Sequence, residues 1–280
     1  MCNLITSNEV YLKGMRNTFH DKAWFMPIIP ADVEVIIDLG CAGGDFIEYM
    51  KKMCPQYQYF GIDNNQEFRK ICHEKGITAF KDIDEVKWSI GKLISKSLVV
   101  MNSVLHEIYS YEPNEAEAIW KKLYESGVKY IALRDMYAKG CALFNSKVEK
   151  EIMDILGKDK CAASNSGSFF HINEKFEDFE KHWGKVYDGY MFTHFLLKYF
   201  YDLNWDRELQ ENYLPFHYRE LHTIVRKAGY DITFENFYSL PWLKQKWMSD
   251  FDCDTHPHLA CFIRNILTHM KLFIVKGDNI

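Results

Sequence analysis

The chain has 280 residues, of which 48% are hydrophobic and 16% aromatic, and its formal net charge at pH 7 is -5. This composition excludes a disordered chain, and the acidic balance excludes a global positive field that would attract nucleic acid. No run of about 20 apolar residues predicts a membrane span and the residues after Met1 lack the order of a signal peptide, so we expect a cytoplasmic protein without a membrane partner.

Strands and helices alternate along the first half of the chain. A helical periodicity over Tyr11–Trp24 ends ahead of Pro27 and Pro30, which cannot continue a helix. The elements predicted next are a strand from Val35, a strand over Tyr57–Asp63, a helix over Gln66–Lys75 closed by Gly76, strands over Ile77–Phe80 and Ser97–Asn102, a helix from Pro113 to Ser126, and a strand over Lys129–Arg134. This alternation predicts a doubly wound parallel sheet.

Helical, aromatic-rich segments replace the strand pattern between Tyr137 and Gly229. The helices predicted there cover Ser146–Leu156, Glu174–Val186, Tyr190–Tyr201 and His217–Ala228. Two further strands are predicted over Tyr230–Tyr238 and Met270–Val275. Because ligands of open α/β sheets bind outside the carboxyl ends of the strands, we expect the inserted helices to cover those ends and to select the substrate.

A glycine-rich turn, Gly40-Cys41-Ala42-Gly43-Gly44, follows the first strand directly. Glycine adopts positive φ and has no Cβ, so such a turn lets main-chain N–H groups at a helix start face a ligand. Asp63 ends the second strand, where a carboxylate accepts hydrogen bonds from ribose hydroxyls in nucleotide-binding βαβ units. The turn and Asp63 together predict a ligand that contains a nucleoside.

The glycine spacing and the nearby charges narrow the ligand class. The order G-x-x-G-G differs from the G-x-G-x-x-G of dinucleotide sites. Asp38 before the turn and Asp45 after it add negative charge where a pyrophosphate would lie. The turn therefore favours a cationic ligand over NAD or FAD.

These residues resemble motif I of the class I S-adenosylmethionine-dependent methyltransferases. Gly61–Asp63 is similar to the ribose-binding motif of that family, Phe80–Ile83 to the adenine-contacting motif, and Leu98–Ser103 to the fourth strand. The resemblance implies a Rossmann-like α/β fold, with a mostly parallel seven-stranded sheet, an antiparallel closing hairpin and a helical cap insertion. It also implies S-adenosyl-L-methionine (SAM) as the cofactor. The cofactor-binding residues that it implies are Asp38, Gly40, Cys41, Ala42, Gly43, Asp63, Asn64, Asp82, Ile83 and Asn102.

The predicted domain organisation follows from this fold. Residues 1–136 would form an N-terminal helix and the SAM-binding core, and residues 137–229 the helical cap insertion. Residues 230–280 would supply the strands that complete the sheet, with residues 241–268 contributing to the cap.

His106 is the candidate general base. A histidine titrates near neutral pH, and a nearby carboxylate can fix its tautomer. Val104–Ile108 is similar to the His-Asp-Trp stretch of plant phenolic O-methyltransferases, which implies His106 as the base and places Glu107 where that family has Asp. In the alternative interpretation, His106 contacts the cofactor or caps the following helix. Transfer to an oxygen or nitrogen atom is expected.

A closer resemblance covers most of the chain. Stretches such as Asp21–Phe25, Ser103–Tyr111 and Asn204–Glu208 are similar to a group of bacterial and phage class I methyltransferases, which brings no substrate with it. The candidate substrate-binding residues are Trp24, Tyr109, Arg134, Trp205, Arg207, Glu208 and Tyr213. For the last four, the alternative is an exposed helix with an intrahelical ion pair and two core aromatics.

Three functions stay open at this level. Methyl transfer to a small polar metabolite or nucleotide fits the acidic net charge of the chain. The sequence does not indicate the oligomeric state. An RNA or DNA methyltransferase would use lysines of the insertion, which otherwise form a solvated helix face. These lysines are Lys139, Lys147, Lys150, Lys158 and Lys160. A partner subunit that binds SAM without catalysis is the third possibility.

The eight cysteines are scattered without a C-x-x-C motif, which predicts free thiols. Cys253, His256, His258 and Cys261 offer sulfur and nitrogen ligands of the kind that zinc binds. Four ligands in one short loop are hard to arrange as a tetrahedron. We therefore predict a His-Pro-His turn leading into a buried helix, and no metal.

Overall fold

The protein is described from a computed structural model, which covers residues 18–112, 117–158, 168–202 and 204–277. Its strands form one seven-stranded sheet. They are β1 (Val35–Leu39), β2 (Gln58–Ile62), β3 (Ala79–Phe80), β4 (Ser97–Asn102), β5 (Tyr130–Lys139), β6 (Tyr230–Tyr238) and β7 (Leu267–Lys276).

The strand order across the sheet is β3-β2-β1-β4-β5-β7-β6. The first five strands pair in parallel, and β6 and β7 close the sheet as an antiparallel hairpin. Every residue of β1 and β4 is buried, as expected for central strands of a parallel sheet. The fold class predicted from the sequence, a mostly parallel α/β sheet with a closing hairpin, is confirmed.

Helices connect the strands and fill the segment between β5 and β6. In chain order they are α1 (Phe19–Lys22), α2 (Asp45–Met53), α3 (Gln66–Glu74), α4 (Ile83–Ile90), α5 (Leu105–Tyr111), α6 (Ala118–Ser126), α7 (Ser146–Lys158), α8 (Ser168–Trp183), α9 (Gly189–Leu196), α10 (Trp205–Gln210), α11 (Tyr218–Lys227), α12 (Pro241–Asp250) and α13 (Pro257–Asn265). Across the described ranges, none of these helices has the length and apolar character needed to cross a membrane.

The chain divides into two compact units. The first contains the described residues up to Asp135, then Phe216–Asn236, and the residues from Lys271 onward. The second contains Met136–Pro215 and Phe237–Met270. Each unit has its own apolar core, built around β1 and β4 in the first and around the aromatic helices α8, α9 and α12 in the second. The domain organisation given above stays a prediction.

The third strand is shorter than the sequence predicts, for a reason visible at the end of α3. Gly76 adopts φ +70° there, and its N–H donates to the carbonyl of His73. The N–H of Ile77 donates to the carbonyl of Cys72. This is the hydrogen-bond pattern of a Schellman cap. Because the cap uses the N–H of Ile77, strand pairing begins only at Ala79.

Other predicted boundaries shift at element ends. β5 continues to Lys139, and α8 begins at Ser168 rather than at Glu174. Pro113, the predicted start of the helix before β5, lies outside the described residues. Within them, this helix, α6, begins at Ala118. Much of the predicted helix over Tyr11–Trp24 also lies outside them, and α1 covers Phe19–Lys22.

Candidate cofactor pocket and histidine site

The glycine turn joins β1 to α2 through three residues with positive φ: Gly40 at +79°, Ala42 at +43° and Gly44 at +77°. Gly43 is not among the residues with positive φ. A Cβ on Gly40 would lie 2.6 Å from Cγ2 of Val104, and a Cβ on Gly44 would meet the Ile77 side chain at 2.7 Å. Both glycines are therefore required by the packing of the turn itself.

Asp63 ties the end of β2 to this turn. Its Oδ2 accepts a hydrogen bond from the N–H of Ala42 at 2.9 Å, and its Oδ1 accepts one from the N–H of Asn65 at 2.9 Å. Burial raises the pKa of the Asp63 carboxyl, although these two hydrogen bonds act in the opposite direction. The carboxylate thus holds the strained Ala42 peptide in place.

A pocket lies against the glycine turn in the first unit. Its lining consists of Lys22, Asp38, Gly40, Cys41, Ala42, Asp45, Phe46 and Asn102. Two of these residues, one acidic and one basic, are almost completely buried, Asp38 at 4% exposure and Lys22 at 3%. Burial raises the pKa of Asp38 to about 7 and lowers the pKa of Lys22 to about 8. Lys22 was not singled out by the sequence, which shows it only as one member of the Asp21–Phe25 stretch.

Asn102, the last residue of β4, faces this pocket as well. Its side chain is 8% exposed, and both its amide nitrogen and its amide oxygen are buried without a hydrogen-bond partner. Unsatisfied buried polar groups are rare in folded proteins and cost about 1–3 kcal/mol. The pocket therefore presents a donor and an acceptor that a ligand can satisfy.

The backbone directly after Asn102 is also strained. Ser103 adopts φ +55°, a conformation that a residue other than glycine rarely uses. The N–H of Ser103 donates to the carbonyl of Arg134 at 2.7 Å, which fixes this conformation against β5. Ala42, three residues after β1, and Ser103, directly after β4, thus both have a strained backbone, a feature that clusters at functional sites.

His106 lies in the first turn of α5 and is 3% exposed. Its Nδ1 is 2.7 Å from Oδ1 of Asp135, in β5. The other carboxylate oxygen of Asp135 accepts a hydrogen bond from the N–H of Leu105 at 2.8 Å. Asp135 is therefore a nearby carboxylate that orients the imidazole, and the catalytic role of Glu107 stays a prediction. Glu107 is half-buried, and its charge acts on Lys22.

Comparisons with known proteins bear on the fold. No protein-family model and no curated protein matches the chain. PKMT2 from Rickettsia typhi, solved in complex with AdoHcy, is similar over 89% of this chain and 50% of its own, with 13% identity and a TM-score of 0.50. The chain thus spans half the length of that protein. A chain from a complex that contains the Haloferax volcanii Trm112 methyltransferase activator is also similar. The similarity covers 96% of this chain and 93% of that chain, with 10% identity and a TM-score of 0.50.

A SAM-dependent methyltransferase from Archaeoglobus fulgidus is similar over 95% of this chain and 100% of its own, with 14% identity and a TM-score of 0.48. The chain shares its Rossmann-like fold with the two structures that have a TM-score of 0.50. At these identities, the likeness concerns the fold alone.

Of three further predicted cofactor residues, Asp82 and Asn64 have hydrogen-bond partners and Ile83 is buried. Asp82 is the N-cap of α4, and its Oδ1 accepts from the N–H groups of Asp84 and Glu85 at 3.1 and 3.0 Å. Ile83 is buried at 3% exposure. The exposed side chain of Asn64 donates to Oε1 of Glu112 at 3.1 Å. Contacts of these three residues with a cofactor stay predictions.

Arg134, a predicted substrate residue, is held inside the first unit of the protein. Its Nε lies 2.7 Å from Oδ2 of Asp21, and its Nη1 donates to Oγ of Ser103 at 2.6 Å. The other carboxylate oxygen of Asp21 accepts from Nζ of Lys271 at 2.6 Å. The Arg134 guanidinium therefore braces the strained residue beside the pocket, and its contact with substrate stays a prediction.

Trp24 and Tyr109 are both packed within the first unit. The Trp24 ring stacks on Phe234, with centroids 5.5 Å apart, and its Nε1 is buried without a hydrogen-bond partner. Tyr109 packs edge-on against Phe216, with centroids 5.2 Å apart. Neither residue lines the pocket at the glycine turn.

The remaining predicted substrate residues belong to the second unit. The Arg207 Nε lies 2.9 Å from Oε1 of Glu211, an ion pair four residues apart. The Tyr213 hydroxyl donates to the buried Glu208 carboxylate. The partly buried Trp205 has Nζ of Lys175 at 5.3 Å from its ring centroid. The structure brings these residues together inside this unit, and their role in substrate binding stays a prediction.

The segment with two cysteines and two histidines forms a turn followed by a helix. His256 is buried and its Nδ1 lies 2.8 Å from the carbonyl oxygen of Asp252. Pro257 begins α13, which buries Leu259, Ala260, Phe262 and Ile263. Cys253 is buried and Cys261 is exposed on this helix.

The lysines of the alternative nucleic-acid function fall in the second unit or outside the described residues. Lys147 and Lys150 are exposed on α7, and Nζ of Lys139 lies 4.6 Å from the ring centroid of Phe237. The side chain of Lys158 and the whole of Lys160 lie outside the described part of the chain.

Proposed function

We propose that the protein is a SAM-dependent methyltransferase that acts on an oxygen or nitrogen atom of a small polar metabolite or nucleotide. The observation that carries this proposal is the Asn102 amide, buried and unsatisfied at the end of β4, in a pocket with the glycine turn. Bound SAM would supply a methyl group already activated on a positively charged sulfur.

The charges of the pocket fit the amino-acid end of that cofactor. SAM carries a carboxylate and an ammonium group there. The buried Lys22 amine is suited to the carboxylate and the buried Asp38 carboxylate to the ammonium group. Both groups are already removed from water, so their interactions with a ligand are stronger than they would be at the surface.

The remaining pocket residues fit the nucleoside end. Asp63 holds the Ala42 peptide and retains lone pairs for ribose hydroxyls, because each carboxylate oxygen accepts more than one hydrogen bond. Asp82 and Ile83 follow β3, the neighbour of β2, at the position where the family resemblance expects adenine contacts. These assignments give each of the predicted cofactor motifs a chemical role.

His106 is suited to remove a proton from the acceptor. If Nδ1 carries the ring proton, it donates to Asp135 and leaves Nε2 as the basic nitrogen. Asp135 then stabilises the imidazolium that forms when the proton arrives. A general base is needed for an oxygen or ammonium acceptor, which supports transfer to those atoms.

A small acceptor agrees with the net charge of -5, which repels polyanions. We propose a cytoplasmic location for the enzyme.

The proposal is tested with methyl-labelled SAM and fractionated cell extract. The wild-type protein is expected to transfer label to one fraction of low molecular mass, and Asn102→Ala to transfer at least about tenfold less, since losing one buried hydrogen-bonding partner costs about 1.4 kcal/mol or more. Asn265→Ala, on the exposed face of α13, is the matched control and should match wild type. Equal labelling by wild type and Asn102→Ala would contradict the proposed site.

A further inference from the structure

Two cysteines lie against each other beneath the glycine turn. The Sγ atoms of Cys41 and Cys72 are 3.9 Å apart, although the residues are 31 positions apart in the chain. Cys41 is 4% exposed and Cys72 is completely buried in α3. A bond between these sulfurs would link the cofactor turn covalently to the helix that follows Asp63.

Both thiols also contact the same backbone group. The carbonyl oxygen of Ala42 accepts from Sγ of Cys72 at 3.2 Å and from Sγ of Cys41 at 3.7 Å. Ala42 itself has φ +43° and donates its N–H to Asp63. The two S–H groups therefore help to hold a strained peptide that lines the pocket.

The pocket gives a small oxidant a route to this pair, because Cys41 is one of its lining residues. The side-chain contact with Cys41 lowers the pKa of the Cys72 thiol, and the charge of Lys75 acts in the same direction, whereas burial opposes both. Since the thiolate is the reactive form of cysteine, this places a nucleophile next to a thiol that can resolve it. A disulfide S–S bond is about 2 Å long, so each sulfur needs to move by only about 1 Å.

We propose that Cys41 and Cys72 form a redox modification site that a hydroperoxide converts to a disulfide. The first thiolate attacks a peroxide oxygen, giving a sulfenic acid and, after protonation of the leaving hydroxide, water. The second thiol then attacks the sulfenic sulfur and releases a second water. Two thiols and one hydrogen peroxide thus yield one disulfide and two waters, with both sulfurs oxidised and both peroxide oxygens reduced.

Oxidation would alter the pocket through Ala42. The disulfide has no S–H donors, so the Ala42 carbonyl loses both of its thiol contacts while Ala42 N–H remains held by Asp63. A shift of this peptide changes the wall that faces the ligand. Formation of the disulfide is independent of the proposed function, whereas its effect on SAM binding rests on that function.

The experiment uses the full chain, purified under reducing conditions and treated with one equivalent of hydrogen peroxide. After alkylation and digestion, mass spectrometry is expected to show a Cys41–Cys72 cross-linked peptide pair, lighter by two hydrogens and cleaved by dithiothreitol. Cys261 is exposed and serves as the internal control for general oxidation. Cys72→Ala should abolish the cross-link and Cys261→Ala should preserve it.

Titration with S-adenosylhomocysteine then measures the consequence. The oxidised protein is expected to bind at least about tenfold more weakly than the same sample after reduction. If Cys41 and Cys72 stay alkylatable while Cys261 is oxidised, the modification site is refuted. If the cross-link forms and the reduced protein binds no S-adenosylhomocysteine, the proposed function fails and the redox site stands.

Discussion

Asp135 joins the start of α5 to the imidazole of His106. One carboxylate oxygen lies 2.7 Å from Nδ1 of His106, and the other accepts the N–H of Leu105 at 2.8 Å. Asp135 is 1% exposed, so both contacts are shielded from water. One side chain of β5 therefore sets the position of the helix and the direction of the candidate base.

Replacing Asp135 by Asn should remove the charge that favours a positively charged imidazole and leave the residue's volume unchanged. We expect kcat for methyl transfer to fall by about 100-fold, within the range known for general base catalysis. The dissociation constant for S-adenosylhomocysteine should change by less than about twofold, because Asp135 does not line the pocket. Initial rates at saturating acceptor and calorimetry give these two values.

Asp32→Asn is the matched control for Asp135→Asn. Asp32 pairs with Lys129 at the surface, where such pairs contribute about 0–1 kcal/mol. The kcat of Asp32→Asn should equal that of wild type. A normal kcat for Asp135→Asn, or an equal loss in both variants, would remove Asp135 from the positioning of His106.

Gly40→Ala should destabilise the protein more than Gly76→Ala. Both glycines have positive φ, +79° and +70°, so both variants incur a similar backbone strain of about 1–2 kcal/mol. Only at position 40 does the new Cβ meet a side chain, Val104 Cγ2 at 2.6 Å, while nothing lies within 4 Å of it at position 76. We therefore expect Gly40→Ala to lose about 1–3 kcal/mol more than Gly76→Ala in the free energy of unfolding, measured in urea.

The added Val104→Ala substitution separates strain from overlap at Gly40. It should recover part of the extra loss in the Gly40→Ala background, because it removes the atom that the new Cβ meets. Equal unfolding free energies for Gly40→Ala and Gly76→Ala would show that the turn relaxes without cost.

Asp38→Asn should change how stability depends on pH. Burial raises the pKa of Asp38 from 3.8 to about 7, so the folded state keeps a proton that the unfolded state has lost. The stability that this retained proton contributes is therefore fully present below about pH 4 and is lost as the pH rises through 7. Between pH 5 and pH 7 this loss is about 2 kcal/mol in wild type and absent in the variant.

Urea unfolding at pH 5 and pH 7 measures that difference directly. Groups that titrate equally in both proteins cancel when wild type is compared with Asp38→Asn. The Lys22 amine, with a pKa of about 8, is charged at both pH values. Parallel pH dependence in the two proteins would mean that Asp38 ionises as an ordinary surface carboxyl.

Asp82→Ala tests whether this residue is a helix cap, a cofactor contact or both. Loss of its hydrogen bonds to the N–H groups of Asp84 and Glu85 should lower the free energy of unfolding by about 1 kcal/mol. If Asp82 also contacts adenine, the affinity for S-adenosylhomocysteine falls as well. Asp84→Ala is the control for a lost charge next to the cap, and an unchanged unfolding free energy for Asp82→Ala would refute the capping role.

Much of the fold was predictable because its central strands are short apolar runs between clear breaks. The predicted strands at Ser97–Asn102 and Tyr230–Tyr238 have the observed bounds. The third strand was misjudged because Ile77 is apolar and buried, which suits a strand, while its N–H belongs to the cap of α3. Hydrophobicity alone does not show which carbonyl accepts the hydrogen bond of a given N–H group.

The partner of His106 could not be predicted because it depends on strand register. In the sheet, Asn102 is paired with Arg134, which brings Asp135 beside the turn that begins α5. The sequence places these segments about thirty residues apart and indicates no register, so it does not single out Asp135 as the nearby carboxylate. The role of Lys22 was hidden for the same reason, since only folding places it against Asp38.

Calorimetry of the full chain with S-adenosylhomocysteine tests the central claim most directly. The account predicts a saturable heat with one binding site, a weaker response in Asn102→Ala and Lys22→Met, and no saturable heat with NAD. Absence of binding to both S-adenosylhomocysteine and SAM, or binding to NAD at the same affinity, would contradict it.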